Sequence, residues 1–323
     1  MRKIIVTLFT LLCAHRLIHA QSVPAVEENI PFLVTFGNAS ETAWGDDDFT
    51  QTFFFIIPQT WKKPFFIRVF DPDISNTHDE INGQPDSETR FTVLGGKEAY
   101  THPDASYADP IGNYKSGTTL AEKVFDSHPK YDNKWYTFGP FNPVEGEYIA
   151  EFKGHVFKIV AEGIKGNDGN LYKYFLSSDP NENKIVEGAN AFTFEYSFRM
   201  WDDPGKVSHI YPFINEKVVS IKIHTFDFDN DGVARIVSVS KKAEEVTVSG
   251  DNSWASSVHQ ITEKEKNTSL DIQLIKLKKV LNNNVVFYIT NQYGELLPFY
   301  TSPIGGIPKY PYTIKHKSFD ERK

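Results

Sequence analysis

Apolar and polar positions alternate with a period of two along most of this chain. AFTFEYSFR (191–199) sets Phe192, Phe194, Tyr196 and Phe198 against Thr193, Glu195, Ser197 and Arg199. That pattern predicts a strand with one buried face and is incompatible with an amphipathic helix. Short aromatic and β-branched runs predict further strands at PFLVTF (31–36), TFFFIIP (52–58), PFFIRVF (64–70), FTVLGG (91–96), HVFKIVAEGI (155–164) and LYKYFLS (171–177). The last two flank Lys165-Gly166-Asn167-Asp168-Gly169-Asn170, whose composition is that of a hairpin turn.

A breaker cluster, WDDPGK (201–206), predicts a linker. Beyond it Val219, Ile221 and Ile223 alternate with Ser220, Lys222 and His224. ARIVSVS (234–240), VTVS (246–249), LDIQLIKL (270–277) and NVVFYIT (284–290) continue the strand pattern. Helical composition is confined to Thr118–Phe125, expected as one short helix, and Ile261–Lys266, expected as one turn. The predicted class is all-β: two β-sandwich domains of jelly-roll or Ig-like type, over 30–200 and 207–305, with at most one or two short helices. Residues 21–29 are expected as a polar leader and 306–323 as a polar tail. No motif recurs at the spacing of propeller blades.

The first twenty residues have the pattern of a secretory signal. Arg2 and Lys3 precede an apolar or hydroxyl run, Ile4–Ala14, and Ala20 stands at the expected cut. A lipoprotein signal on Cys13 is less consistent, because Leu12 occupies the position where a small residue is needed. The expected location is therefore secreted, periplasmic or at the cell surface. Cleavage would remove Arg2, Lys3 and Arg16 and no acid, taking the formal charge from −8 to −11. Such acidity disfavours nucleic acid and anionic membrane as partners and suits divalent cations. Cleavage would also remove Cys13, the single cysteine, leaving neither disulfide nor thiolate chemistry. After residue 20 no apolar run approaches the roughly 18 residues of a membrane helix, so no integral span is expected.

The clearest chemical candidate is FDFDNDGVARI (226–236). Asp227, Asp229 and Asp231 occupy positions 1, 3 and 5 of a D-x-D-x-D-G pattern, Gly232 follows at 6, and the Val233 carbonyl stands at 7. Calcium takes six to eight oxygen ligands, and alternating carboxylates beside a bend-forming glycine supply them. The stretch resembles the calcium loop of EF-hands. It departs at position 12, which is Ser238 rather than glutamate, and its flanks are strand-like. Integrin-type loops place an acid at position 9, where this chain has Arg235. A closing acid must come from elsewhere, with Asp251 or Asp202-Asp203 as the candidates. The alternative reading is a solvated turn, since Asn230-Asp231-Gly232 is also a hairpin signal. A turn, however, does not require Asp227 and Asp229.

A second acidic stretch, FDPDISNTHDEINGQPDSE (70–88), offers Asp71, Asp73, Asp79 and Glu80 as calcium ligands, with Asp46-Asp47-Asp48 within reach of a neighbouring strand end. Ile67–Phe70 and Ile221–Phe226 both read as strands that run into an acidic F-D-x-D loop. Acidic loops at one end of a sandwich are similar in layout to the calcium sites of C2 domains. A long hydrophilic surface loop is the competing reading.

No G-x-S-x-G, H-E-x-x-H, aspartic-protease triplet or phosphate-binding loop is present, and the histidines from His78 to His316 lack ligand spacing. Enzymatic activity is thereby disfavoured but left open, since triads are defined in space. Trp44, Trp61, Trp135, Trp201 and Trp254 lie near predicted turns or strand ends. Rings there can stack on sugars, although most are expected in the core. Asn38-Ala39-Ser40 and Asn267-Thr268-Ser269 match the N-glycosylation triplet. The expected function is a secreted calcium-binding β-sandwich protein with a non-catalytic binding, adhesion or envelope-associated role and a protein or glycan partner. The alternative is a secreted hydrolase or a carbohydrate-binding accessory module.

Overall fold

The computed structural model describes residues 21–75, 78–106 and 114–308. The expected signal (1–20) and most of the expected tail lie outside the described residues. Among the described residues there are twenty-two strands, four 3-10 turns and no α-helix. The first eight strands are β1 (Ser22–Val23), β2 (Phe32–Phe36), β3 (Thr50–Pro58), β4 (Phe65–Phe70), β5 (Glu88–Gly95), β6 (Thr118–Phe125), β7 (Trp135–Phe141) and β8 (Glu147–Ile149). The next seven are β9 (Gly154–Lys165), β10 (Gly169–Ser177), β11 (Asn190–Thr193), β12 (Glu195–Arg199), β13 (Ser208–Ile210), β14 (Phe213–Ile214) and β15 (Ser220–Phe226). The last seven are β16 (Gly232–Val237), β17 (Lys242–Val246), β18 (Trp254–Gln260), β19 (Thr268–Ser269), β20 (Asp271–Lys276), β21 (Asn284–Asn291) and β22 (Phe299–Tyr300).

The predicted all-β class is what the chain adopts. One nine-stranded sheet runs β18-β15-β21-β12-β2-β10-β4-β7, with β1 on β10. A seven-stranded sheet runs β22-β11-β3-β9-β5-β6, with β8 on β9, and a four-stranded sheet runs β13-β20-β16-β17. The nine- and seven-stranded sheets meet through aromatic pairs such as Phe53–Tyr174, Phe91–Tyr172 and Phe65–Phe157, with ring centroids 4.8–5.8 Å apart. Ile221, Ile223 and Phe287 of the large sheet share the same core with Ile236 of β16 and Leu274 of β20. Burial of this continuous apolar cluster is the main stabilising term.

Hydrogen bonding continues across the segment expected as a linker. β12, before it, pairs with β21, after it, from Glu195↔Tyr288 to Arg199↔Asn284. β22 likewise pairs with β11. The stretch read as a polar leader also folds inward: Ser22 and Val23 pair with β10, and Val23 and Glu28 are fully enclosed.

Three local expectations change. Thr118–Phe125 is strand β6 and not a helix. Its Leu-Ala-Glu-Lys composition favours helix only weakly, and pairing along β5 overrides that preference. The 165–170 turn does not close a hairpin, because β9 pairs with β3 and β5 whereas β10 pairs with β2 and β4. The chain crosses between sheets there. A second crossing splits the 191–199 run at Phe194: Tyr196 and Phe198 enter the main core, while Phe192 and Phe194 pack on the far side of β3 with Phe54. The Thr193 hydroxyl marks the switch by donating to Thr52 O, at 2.6 Å.

Candidate metal centre

β15 ends at Phe226, and the chain turns at once. Asp227, Asp229 and Asn230 all have positive φ, at 56°, 60° and 51°. Aspartate and asparagine tolerate this left-handed region better than most side chains, so the acid-rich composition fits the backbone path. Gly232 is required for a different reason than a bend. It opens β16, where a Cβ would lie 2.4 Å from the Phe228 ring and 2.6 Å from Ile275 O. The Phe228 side chain, fully buried, occupies the space beneath the loop.

The facing loop, Ser249–Ser253, completes the site. Asn230 N donates to Ser249 O at 2.9 Å, and Phe228 N donates to Ser249 Oγ at 3.0 Å. Asn252 N donates to Asp227 Oδ1 at 2.8 Å. These contacts bring ligand atoms of Asp227, Asp229 and Asp251 within 4.8 Å of one another. Of the two segments considered for a closing acid, the one holding Asp251 is adjacent. Asp202 instead pairs with Lys279 at 3.4 Å. Burial pushes the Asp227 carboxyl up to about 7; the Asn252 amide opposes the rise, while Asp229 and Asp251 add to it. Asp229 is also raised, chiefly by burial, with Lys276 opposing. Such a group of crowded, partly desolvated acids is one that a bound cation would relieve.

Asp231, expected as the third ligand of the D-x-D-x-D run, serves elsewhere. Its Oδ1 accepts from Lys276 Nζ at 2.6 Å, and that ammonium also donates to Phe228 O at 3.1 Å. Val233 sits in the β16 ladder opposite Ile275.

In the 70–88 segment the four expected ligands take separate partners. Asp71 accepts from Asn133 N at 2.7 Å, and Asp73 accepts from Tyr131 N. Asp79 accepts from Ser75 N and Leu171 N at 3.0 and 2.8 Å. Glu80 pairs with Arg199 at 2.7 Å and accepts from Asn284 Nδ2 at 3.1 Å. Asp79 and Glu80 therefore bind the long loop to the large sheet.

The other three-acid group is Asp46, Asp47 and Asp48. Asp46 accepts from Phe36 N and Phe49 N at 2.7 and 2.9 Å, so both its oxygens are engaged. Burial raises its carboxyl to about 8. Asp48 is likewise held well above the usual range by burial and by Asp46 and Asp47. Asp48 Oδ1 accepts from Thr50 N at 2.7 Å, whereas its enclosed Oδ2 has no hydrogen-bond partner. Among the described residues these two acidic clusters could hold a metal ion, and no helix is long and apolar enough to cross a membrane.

Next to the first cluster, Trp254 is the one tryptophan of the five that is exposed, at 41%. It meets Tyr288 at 5.1 Å, and Tyr288 stacks on His224 at 4.2 Å, forming a strip across β18, β21 and β15. No protein-family model matches the chain, and comparison with curated proteins found no match.

Proposed function

We propose that this is a calcium-binding β-sandwich protein, delivered outside the cytoplasm, whose metal sites order the loops of a non-catalytic binding module. The observation that carries this reading is the convergence of Asp227, Asp229 and Asp251 from two loops at one strand end. Calcium fits this all-oxygen donor set better than zinc or copper, which prefer nitrogen and sulfur ligands. The N-terminal signal pattern and the excess of acid support an extracellular setting, where calcium is plentiful. Trp254 lies three residues from Asp251 and gives a local reporter. Titration with calcium should change its fluorescence saturably in the wild type, and Asp229→Ala should abolish the change. An unchanged signal in the wild type, with no heat of binding, contradicts the reading.

The Trp254–Tyr288–His224 strip favours a glycan over a protein as the partner of such a module. It borders a shallow depression of about 530 Å³ that also holds Lys222, Thr290 and Gln292. Flat rings with polar neighbours suit the apolar face and hydroxyl edge of a sugar. Retardation in polysaccharide-containing gels, lost in Trp254→Ala, supports the glycan; no retardation leaves a protein ligand as the partner class.

A further inference from the structure

The two F-D-x-D segments belong to a repeated structural unit that extends into their partner strands. Phe70 closes β4 and Phe226 closes β15, and each is followed by an aspartate of positive φ, 55° at Asp71 and 56° at Asp227. Across the ladder Phe70 faces Trp135, and Phe226 faces Trp254. The ring pairs have centroids 5.3 and 5.1 Å apart. Each tryptophan opens its strand after the same tetrapeptide pattern, D-N-x-W: Asp132-Asn133-Lys134-Trp135 and Asp251-Asn252-Ser253-Trp254. Both asparagines have positive φ, at 56° and 44°.

The hydrogen bonds repeat as well. Asn133 N donates to Asp71 Oδ1 at 2.7 Å, as Asn252 N does to Asp227 Oδ1 at 2.8 Å. Asp71 N donates to Lys134 O, as Asp227 N does to Ser253 O, at 2.9 and 3.4 Å. The carbonyl between the two acids is held by an enclosed side chain in both places: Asn170 donates to Pro72 O, and Lys276 donates to Phe228 O.

These units occupy equivalent positions in the large sheet. β4 and β7 form one edge pair, and β15 and β18 form the other. Five antiparallel pairings separate β4 from β15, so the two strands run in opposite directions. Their acidic ends therefore lie at opposite ends and opposite edges of the sheet, as a two-fold axis through it would place them.

We infer that Asp71, Asp73 and Asp132 form a second cation site, the counterpart of Asp227, Asp229 and Asp251. This rests on the reading of the latter as a calcium site. An independent observation points to a ligand: Asp71 is completely enclosed, and its Oδ2 has no hydrogen-bond partner. The other oxygen of that carboxylate is fixed by Asn133 N, and Asp73 docks on Tyr131 N of the same loop, so the two docking amides bracket Asp132 along the chain, with Asp132 beside Asp71. Buried carboxylate oxygens are costly when unpaired, and a cation would satisfy this one. His78 lies beside Asp71, and Asp126, His128 and Lys123 lie beside Asp73, where Lys130 lines the same depression. The ligand atoms of Asp71, Asp73 and Asp132 do not all come within 4.8 Å of one another, as those of their counterparts do, so the second ion should bind more weakly.

Calcium titration by calorimetry on the full folded chain tests this. Asp71→Asn retains the acceptor for Asn133 N, and Asp132→Asn avoids altering an enclosed residue. Each should lower the stoichiometry by one and remove the weaker phase, while Asp227→Asn removes the tighter one. Loss of calcium in Asp227→Asn, with unchanged stoichiometry in both Asp71→Asn and Asp132→Asn, overturns the second site and leaves the first. Absence of calcium binding in the wild type overturns both.

Discussion

Asp231 and Lys276 form a closed ion pair, 2.6 Å from Oδ1 to Nζ, with the lysine side chain wholly shielded from water and seated 4.8 Å from the centre of the Phe228 ring. Its ammonium also comes within 3.6 Å of Asp229. The third acid of the FDFDNDG run thus neutralises a buried cation. Removing one member of a buried pair strands the other charge and typically costs about 3–5 kcal/mol. Asp231→Ala should therefore lower stability by about that amount with or without calcium. Asp229→Ala, at a residue more open to solvent, should mainly weaken the response to calcium. Denaturant unfolding of both variants in calcium and in chelator separates the two roles.

Asp168 is a second acid whose work is structural. It is fully buried and accepts four hydrogen bonds: from Asn82 N, Asp86 N, Ser87 N and Ser87 Oγ, at 2.8–3.1 Å. These contacts fix the end of the 70–88 loop to the point where the chain crosses between sheets. Asp168→Ala would leave the buried amide and hydroxyl of Ser87 unpaired, each worth about 1–3 kcal/mol, and free the half-buried Asn82 amide. A loss of roughly 3 kcal/mol or more is expected, with faster proteolysis within 78–88. Asp168→Asn, which keeps an acceptor, should recover part of it.

Two enclosed groups impose opposite pH dependences. Burial raises the Glu28 carboxyl from 4.5 to about 8, although it accepts from Ala25 N and the Tyr196 hydroxyl. Its folded state holds the proton more tightly than the unfolded state. Its contribution is therefore full below about pH 4.5 and is lost as pH rises towards 8. Burial lowers the Lys158 ammonium from 10.5 to about 7, with Ser116 Oγ as its hydrogen-bond acceptor at 3.0 Å. That group's contribution is full above about pH 10.5 and is lost as pH falls towards 7. Glu28→Gln should gain stability over the wild type at pH 8 and not at pH 4.5. Lys158→Met should gain at pH 7, with the gain shrinking by pH 10. Thermal melts at those pH values check both signs.

The strands were legible because their alternation is local: Ile221 and Ile223, spaced by two, do face the core. Their assignment to sheets was not. The Gly166–Gly169 turn looks identical in sequence whether it closes a hairpin or crosses a sandwich, and only long-range pairing decides between them. Phe192 and Tyr196 share a period but not a sheet, because the chain switches at Phe194. Thr118–Phe125 shows local propensity yielding to an available sheet edge. At the site, the spacing of Asp227 and Asp229 marked the loop. Nothing local distinguished Asp231, since its partner Lys276 is 45 positions away. The signal overlooked was the pair of D-N-x-W tetrapeptides, whose Asn133 and Asn252 amides dock on the two F-D-x-D loops.

Calcium held by Asp227, Asp229 and Asp251, as proposed above, would stabilise the fold. Ligand held at ~100 times its dissociation constant adds ~2.7 kcal/mol, which for a chain of this length is a rise of about 5 °C in Tm. The most direct test is thermal unfolding of residues 21–323 in millimolar calcium and in chelator, for the wild type and Asp229→Ala. A rise of that size is expected in the wild type, cut in Asp229→Ala to the smaller share of the weaker site. Identical melting of the wild type in calcium and in chelator would show that the cluster, with Asp227 buried, holds no calcium.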